Sequence, residues 1–189
     1  MDLLTWWRKT KTKGVIIGGL AVAFRGRPRT TNDVDAIVFV QEDQWSGFLA
    51  KGQELSFHSR VPDPLAFARE SRIFVVRHEK TGTNVDLALG ATEFELGMLK
   101  RASKVRIERT SISVAAAEDL IVLKAIANRP IDDMDILGLL EYSSDLDFDH
   151  VRHHIEQLAG LLEMPELVEN FEDILAKHKK RHGRQRKRP

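Results

Sequence analysis

The first 115 residues switch repeatedly between short apolar runs and amphipathic stretches. Runs in which apolar residues are consecutive, or alternate with polar ones, predict β-strands. The predicted strands cover residues 15–17, 33–40, 72–77, 84–89, 105–107 and 111–114. Helices are predicted over residues 2–12, 20–24, 41–51, 64–70 and 92–102. This mixture predicts an α/β (α+β) domain over residues 1–115.

From residue 116 onward the apolar residues recur only at helical spacing. Four helices are predicted there, over residues 116–128, 131–142, 149–162 and 165–178. We therefore expect three parts in the chain. They are an α/β domain (1–115), a C-terminal helical bundle (116–178) and a basic, disordered tail (179–189).

The composition is that of an ordinary globular protein, with 42% hydrophobic and 30% charged residues. The sequence contains no cysteine, which excludes disulfides and thiolate metal sites. Its first residues lack the apolar segment of a secretory signal, and no apolar run approaches the roughly 20 residues that span a bilayer. We expect a soluble, cytoplasmic protein without a membrane partner.

The net charge of +1 conceals an uneven distribution of basic residues. Residues 177–189 contain eight Lys or Arg and no acidic residue, which leaves 21 basic against 28 acidic residues in 1–176. Dense basic segments bind phosphate backbones because binding releases counterions. The basic end of the chain therefore either binds RNA or only keeps the protein soluble.

Two glycines, Gly18 and Gly19, stand where the first predicted strand gives way to a helix. A glycine turn at a helix N-terminus exposes backbone amides that can bind phosphate oxygens. Gly-Gly pairs also form ordinary tight turns, so this dipeptide alone does not decide between the two interpretations.

Asp33 and Asp35 begin the otherwise apolar strand 33–40. Residues i and i+2 of a strand project from the same face, so these two carboxylates stand side by side. Their mutual repulsion is relieved by a hard cation such as Mg²⁺, which prefers carboxylate oxygens, waters and phosphates. The same Asp-x-Asp pattern also occurs at plain strand ends and turns.

Asp86 is a third acid, placed inside the predicted strand 84–89. Its apolar neighbours along the strand point to the opposite face. It either pairs with Arg72 or Arg77 across the predicted hairpin, or lies beside the first two acids on a neighbouring strand. Three carboxylates can hold two metal ions about 3.5–4 Å apart, one activating the acceptor and one the leaving pyrophosphate.

Together these residues resemble the signature of polymerase-β-type nucleotidyltransferases. The resemblance is closest to the minimal bacterial nucleotidyltransferases of the AbiEii/MenT toxin group. That signature comprises a Gly-Gly or Gly-Ser turn, an Arg-Thr-Thr-x-Asp-x-Asp strand and a later single Asp. The matching positions are Gly18, Gly19, Arg29, Thr30, Thr31, Asp33, Asp35 and Asp86. The resemblance spans residues 14–140.

The resemblance implies a polymerase-β-like fold, with a small mixed sheet followed by helices that complete a cleft. It implies that Asp33, Asp35 and Asp86 are catalytic and bind Mg²⁺ in a two-metal site, where Mn²⁺ can substitute. It also implies that the nucleotide is bound by the other matching positions. These are Gly18, Gly19, Arg29, Thr30 and Thr31.

Lys124 lies on the apolar face of the predicted helix 116–128. It either extends its ammonium to the rim or directs a fixed cation at the β- and γ-phosphates, as the resemblance implies. Asp132 and Asp135, three residues apart on the next helix, either orient Lys124 by ion pairing or favour the helix N-terminus electrostatically. We assign Lys124 and Asp135 to the catalytic set, with Lys124 also binding the nucleotide.

We expect an enzyme that transfers a nucleoside monophosphate from an NTP to an acceptor. The resemblance implies that the acceptor is the tRNA 3′ end or a protein hydroxyl, and that the protein is the toxin of a toxin–antitoxin system with an antitoxin protein as partner. Two alternatives stay open. In the first, the chain is a non-catalytic nucleotide- or RNA-binding module of the same fold. In the second, it is a small-molecule (antibiotic) nucleotidyltransferase.

Overall fold

The protein is described by a computed structural model that covers residues 2–108 and 110–185, with the side chains of residues 181–185 left aside. The chain packs into two units. The first unit is built from residues up to 21 and from 29–115, and the second from residues 22–28 and the chain from 116 onward. None of the helices in these described ranges combines the length and apolarity needed to cross a bilayer.

The first unit contains a mixed sheet of seven strands in the order β3-β4-β5-β2-β1-β7-β6. Strand β2 runs parallel to β5 and β1 parallel to β7, whereas the other neighbours are antiparallel. The strands are β1 (Lys13–Ile17), β2 (Asp33–Phe39), β3 (Phe57–Ser59), β4 (Ile73–His78), β5 (Thr83–Leu89), β6 (Ser103–Ile107) and β7 (Thr110–Val114).

The described residues also form nine α-helices and one short 3₁₀ turn, Glu42–Gln44. The helices are α1 (Asp2–Lys9), α2 (Gly18–Arg25), α3 (Trp45–Gln53), α4 (Pro64–Ser71), α5 (Glu93–Arg101), α6 (Ala117–Ala127), α7 (Pro130–Tyr142), α8 (Phe148–Leu162) and α9 (Glu166–Gln185). Their ends follow local rules: α5 begins with a capping box of Thr92 and Glu95, and α7 begins with Pro130, whose missing N–H costs nothing in a first turn.

One face of the sheet is covered by the aromatic residues of α1 and α3. The indole of Trp6 stacks on Phe48 with ring centroids 4.4 Å apart and donates a hydrogen bond to the Phe48 carbonyl at 2.7 Å. Trp45 packs edge-on against Phe74 of β4 at 5.5 Å. Burial of each of these large side chains stabilises the fold by about 1.5–3 kcal/mol. The polar groups of β2 and β5 are thereby left to the opposite face.

In the second unit, α6 is the central helix and is buried on most sides, against α7, α8 and α9. A helix that is apolar on nearly every side belongs in the middle of a bundle. The segment 22–28 joins this unit because Gly26 lies against the backbone of Gly138, where an added Cβ would be 3.1 Å from the Gly138 carbonyl carbon. Arg27 pairs with Glu141 at 2.8 Å in the same region.

The structure confirms the predicted α/β class and adds two features that the apolar pattern did not predict. Strand β3 is only three residues long, and its pairing with β4 rather than its own sequence makes it a strand. Helix α9 continues to Gln185, so seven residues of the predicted disordered tail, 179–185, are helical. Residues 186–189 lie outside the described part of the chain.

Candidate active site

Three carboxylates share one face of the sheet where β2 runs beside β5. Asp35 and Asp86 are direct partners in the parallel register, and Asp33 is the partner of Asn84 two residues earlier. Because side chains alternate along a strand, Asp33, Asp35 and Asp86 all project from the same face. The structure thus brings Asp86 beside Asp33 and Asp35, although it follows them by at least 51 residues in the sequence.

The turn at Gly18 lies directly against this carboxylate face. Ile17 at the end of β1 is the antiparallel partner of Asp35, and the next residue begins α2. Gly18 has φ +63°, and a Cβ built on it would lie 2.0 Å from Asp35 Oδ2. Only glycine satisfies both the left-handed backbone and this close approach. The N-terminus of α2 is therefore held beside the Asp35 carboxylate.

Arg29 and Thr31 converge on the first turn of α2. A Cβ built on Gly19 would lie 2.7 Å from Arg29 Nη2 and 3.1 Å from Thr31 Oγ1. The Thr31 hydroxyl also donates to the Asp33 carbonyl at 3.2 Å, which ties this segment to the start of β2. Thr30 lies between them and is exposed. A guanidinium next to the amides of a helix N-terminus favours anion binding.

Two side chains that the sequence reasoning did not single out contact the acids. Arg60, just after β3, pairs through Nη2 with Asp86 Oδ1, and each side chain of this pair is 32% exposed. Asn84 Nδ2 donates to Asp33 Oδ1 at 3.2 Å. Of the two alternatives for Asp86, the structure shows the position beside Asp35 on a neighbouring strand. Arg72, which belonged to the other alternative, donates instead to the Leu89 carbonyl at 2.8 Å.

The donor set has the chemistry that Mg²⁺ or Mn²⁺ requires. Three aspartates on one face offer carboxylate oxygens, the ligand type these hard cations prefer. In the described residues, however, no three His, Asp or Glu side chains are grouped as a metal site in their present arrangement. Asp86 is engaged by Arg60 and Asp33 by Asn84. The residues fit a divalent cation by type and register, and the Arg60 guanidinium contacts one of them, Asp86.

Lys124 and Asp135, the remaining predicted site residues, belong to the second unit. The Lys124 ammonium contacts Asp132 Oδ1 at 2.8 Å and Asp135 Oδ2 at 2.9 Å. All three side chains are buried, with exposed fractions of 7%, 0% and 3% in that order. The ammonium therefore does not extend to the rim. Of the alternatives for the two aspartates, ion pairing to Lys124 is the one observed.

Asp132 is also held by Arg129 at the start of α7. Its carboxylate accepts from the Arg129 backbone N–H at 3.1 Å and from Arg129 Nε at 2.7 Å. Burial raises the pKa of Asp132, but the hydrogen bonds from Arg129 and Lys124 outweigh it, and the net result is a lowered pKa. Asp132 is thus an anion that its partners stabilise inside the α6–α7 corner.

Several solved structures share this fold. The lincosamide antibiotic adenylyltransferase LnuA, bound to lincomycin, is 12% identical with a TM-score of 0.53 over 75% of this chain and 94% of that one. An antigenic nucleotidyltransferase-like protein from Paracoccidioides brasiliensis is 14% identical with a TM-score of 0.55 over 89% of both chains. The antibiotic-resistance factor ANT(2'')-Ia in solution is 12% identical, with a TM-score of 0.50 over 97% of this chain and 94% of that one.

Likeness at such low identity establishes the fold alone. No curated protein matches this sequence significantly. A family of proteins described as nucleotidyltransferase of unknown function (DUF6036) matches residues 3–180. That match includes both units and all of the acids and glycines described above. The chain therefore belongs to this family and is a nucleotidyltransferase.

Proposed function

We propose that the protein is a Mg²⁺-dependent enzyme that transfers a nucleoside monophosphate from an NTP to an acceptor and releases pyrophosphate. The observation that carries this proposal is the register of Asp35 with Asp86, with Asp33 on the same face and the turn at Gly18 beside them. The arrangement offers oxygen ligands for divalent cations next to a helix N-terminus that favours phosphate.

In this proposal Asp33, Asp35 and Asp86 would hold Mg²⁺, for which Mn²⁺ could substitute. When bound, the metal would supply charge that polarises the α-phosphate and offsets the charge on the leaving pyrophosphate. Asp86 accepts the proton of the acceptor hydroxyl. The hydroxyl oxygen bonds to the α-phosphorus while the bond between that phosphorus and pyrophosphate breaks. Most of the acceleration comes from positioning and charge neutralisation.

Nucleotide binding is assigned to the segment that converges on α2. The Arg29 guanidinium, the hydroxyls of Thr30 and Thr31 and the amides at Gly18 and Gly19 bind the triphosphate and align it for in-line attack. The contact of Arg29 and Thr31 with the first turn of α2 supports this assignment.

Charge-removing substitutions test the role of the acids. Asp35→Asn and Asp86→Asn keep the side-chain size, and we expect each to lower transfer of ³²P from α-labelled NTP by about 100-fold or more. Asp43→Asn, which changes an exposed acid of the 3₁₀ turn, is the matched control and keeps the wild-type rate. Wild-type transfer by Asp35→Asn contradicts the proposed chemistry.

For the acceptor we propose an RNA 3′ end, with tRNA as the first to test. The basic residues of 177–189 support this proposal, because a row of cations can follow a phosphate backbone. Since α9 extends to Gln185, replacement of the eight Lys and Arg by Gln perturbs the helix less than deletion does. We expect the variant to bind tRNA more weakly and with a flatter dependence on salt.

The same proposal includes a toxin role with an antitoxin protein as partner, as the AbiEii/MenT resemblance implies. Induced expression is then expected to arrest growth in the wild type and not in Asp35→Asn. A protein hydroxyl is the other acceptor that this role allows. Incubation of cell lysate with each α-labelled NTP distinguishes the two, because the label appears in RNA or in protein.

A second candidate acceptor is a small molecule. It is favoured by the shared fold with two proteins named as an antibiotic adenylyltransferase and an antibiotic-resistance factor. Label transferred to an aminoglycoside or a lincosamide, at a rate that the eight Gln substitutions leave unchanged, supports this candidate. Label in tRNA alone excludes it.

A further inference from the structure

Arg60 lies outside the predicted signature, and in the described part of the chain its guanidinium forms an ion pair with Asp86 of the carboxylate face. Its backbone N–H donates to the Val75 carbonyl at 2.9 Å, and Val75 is the cross-strand partner of Asp86. The register therefore sets Arg60, Val75, Asp86 and Asp35 in one row across four neighbouring parts of the sheet. Within that row the Arg60 guanidinium contacts Asp86.

The backbone around Arg60 is fixed, whereas its side chain is partly exposed. Ser59 Oγ donates to the Val61 carbonyl at 2.7 Å and accepts from the Val61 N–H at 3.1 Å, so the two residues flanking Arg60 clamp each other. Asp63 then caps α4 by accepting from the Ala66 N–H at 3.0 Å. The long side chain, 32% exposed, can change rotamer without moving this backbone.

Charge explains why a cation rests on Asp86. Asp35 and Asp86 sit on adjacent strands, which are about 4.8 Å apart, and their like charges repel unless a cation lies near them. Arg60 supplies one positive charge to Asp86 Oδ1. A divalent cation supplies two positive charges and binds the same carboxylate. Arg60 and the cation therefore compete for Asp86.

We propose that Arg60 is the resting counterion of Asp86 and exchanges with the divalent cation, after which the released guanidinium binds a phosphate of the nucleotide. This inference rests on the proposed function. Arginine suits both partners, because its planar fork pairs with carboxylates and phosphates alike. Arg60 is thus a positioning residue in the resting protein and a phosphate ligand in the loaded one.

The exchange predicts opposite effects of Arg60→Gln on metal and nucleotide. Without nucleotide, removal of the competitor is expected to tighten Mn²⁺ binding about two- to fivefold, since a partly exposed ion pair is worth up to about 1 kcal/mol. With Mn²⁺ saturating, loss of the phosphate contact is expected to raise the KM for NTP about tenfold, with a smaller change in kcat. Mn²⁺ binding is measured from the electron paramagnetic resonance signal of the free ion.

Arg69→Gln is the matched control, because Arg69 forms an exposed pair with Glu42 at 2.9 Å in the same unit. It is expected to leave Mn²⁺ affinity and KM unchanged. Arg60→Lys retains the positive charge but not the planar guanidinium. It is expected to keep the wild-type Mn²⁺ affinity but still raise the KM for NTP. Circular dichroism melting establishes that each variant is folded.

The exchange is overturned if Arg60→Gln binds Mn²⁺ no more tightly than the wild type while Asp86→Asn loses binding. That outcome leaves the proposed metal site intact. Wild-type Mn²⁺ binding in Asp86→Asn overturns the proposed metal site, and the exchange with it. Tighter Mn²⁺ binding together with an unchanged KM overturns the phosphate role of Arg60.

Discussion

Replacement of Lys124 by methionine removes a positive charge from a position where two carboxylates contact it. Methionine keeps much of the length of the side chain, so the change is mainly one of charge and hydrogen bonding. Asp132 and Asp135 remain buried, with side chains 0% and 3% exposed. Arg129 still contacts Asp132, whereas the ammonium that joined both carboxylates is gone.

The magnitude follows from the burial of the pair. An exposed ion pair contributes about 0–1 kcal/mol, because water solvates the separated charges nearly as well. Removal of one partner from a buried pair costs about 3–5 kcal/mol, because the other charge stays in a poorly solvated place. For a chain of this size we expect the melting temperature to fall by about 6–20 °C.

Thermal and urea unfolding followed by circular dichroism measure this loss. Lys51→Met is the matched control, since Lys51 pairs with Glu54 at 2.7 Å on an exposed helix end and its loss should cost at most about 1 kcal/mol. The reasoning is refuted if Lys124→Met is as stable as Lys51→Met. If stability is kept while nucleotidyl transfer is lost, the sequence-based prediction that Lys124 contacts phosphates gains support instead.

Acid provides a second readout of the same network. The folded-state pKa of Asp132 is lowered, so its stabilising contribution is complete above its unfolded pKa, about 3.9, and is lost as pH falls through the folded value. We therefore expect the cost of Lys124→Met to shrink below about pH 4, because a protonated Asp132 needs no counter-charge. A cost that is the same at pH 7 and pH 3 contradicts this account.

Two further predictions concern glycines with matched partners. Gly18→Ala should lower the free energy of unfolding by about 1–3 kcal/mol and abolish nucleotidyl transfer. Gly82→Ala is the control: Gly82 has φ +69° but nothing nearer than 3.4 Å to an added Cβ, so this variant should show backbone strain alone and keep transfer. Equal transfer in both variants would contradict the close approach of α2 to the acids. Within α3, Gly52→Ala should destabilise the protein because the added Cβ would lie 2.4 Å from the Trp6 ring. Gly47→Ala meets nothing within 4 Å and should stabilise the protein by about 0.5–1 kcal/mol, as measured by urea unfolding. A change in stability of the same sign for both variants would refute this packing.

The sequence by itself determined what depends on neighbours along the chain. The alternation in β2 set Asp33 and Asp35 on one face because side chains alternate in any strand, whatever that strand pairs with. The spacing of apolar residues similarly predicted the helices from residue 116 onward, because helical periodicity is local. The turn at Gly18 was predicted from the end of an apolar run at two glycines.

Only the tertiary structure decided what depends on pairing between distant segments. Asp86 becomes the direct neighbour of Asp35 through the register of β5 with β2, and Arg60 reaches Asp86 because the three-residue β3 is added to β4. Likewise the local pattern left two roles for Asp132, and the packing of α7 on α6 gave it Lys124 as a partner. Strand register and helix packing are set by the whole core, so no short stretch of sequence encodes them.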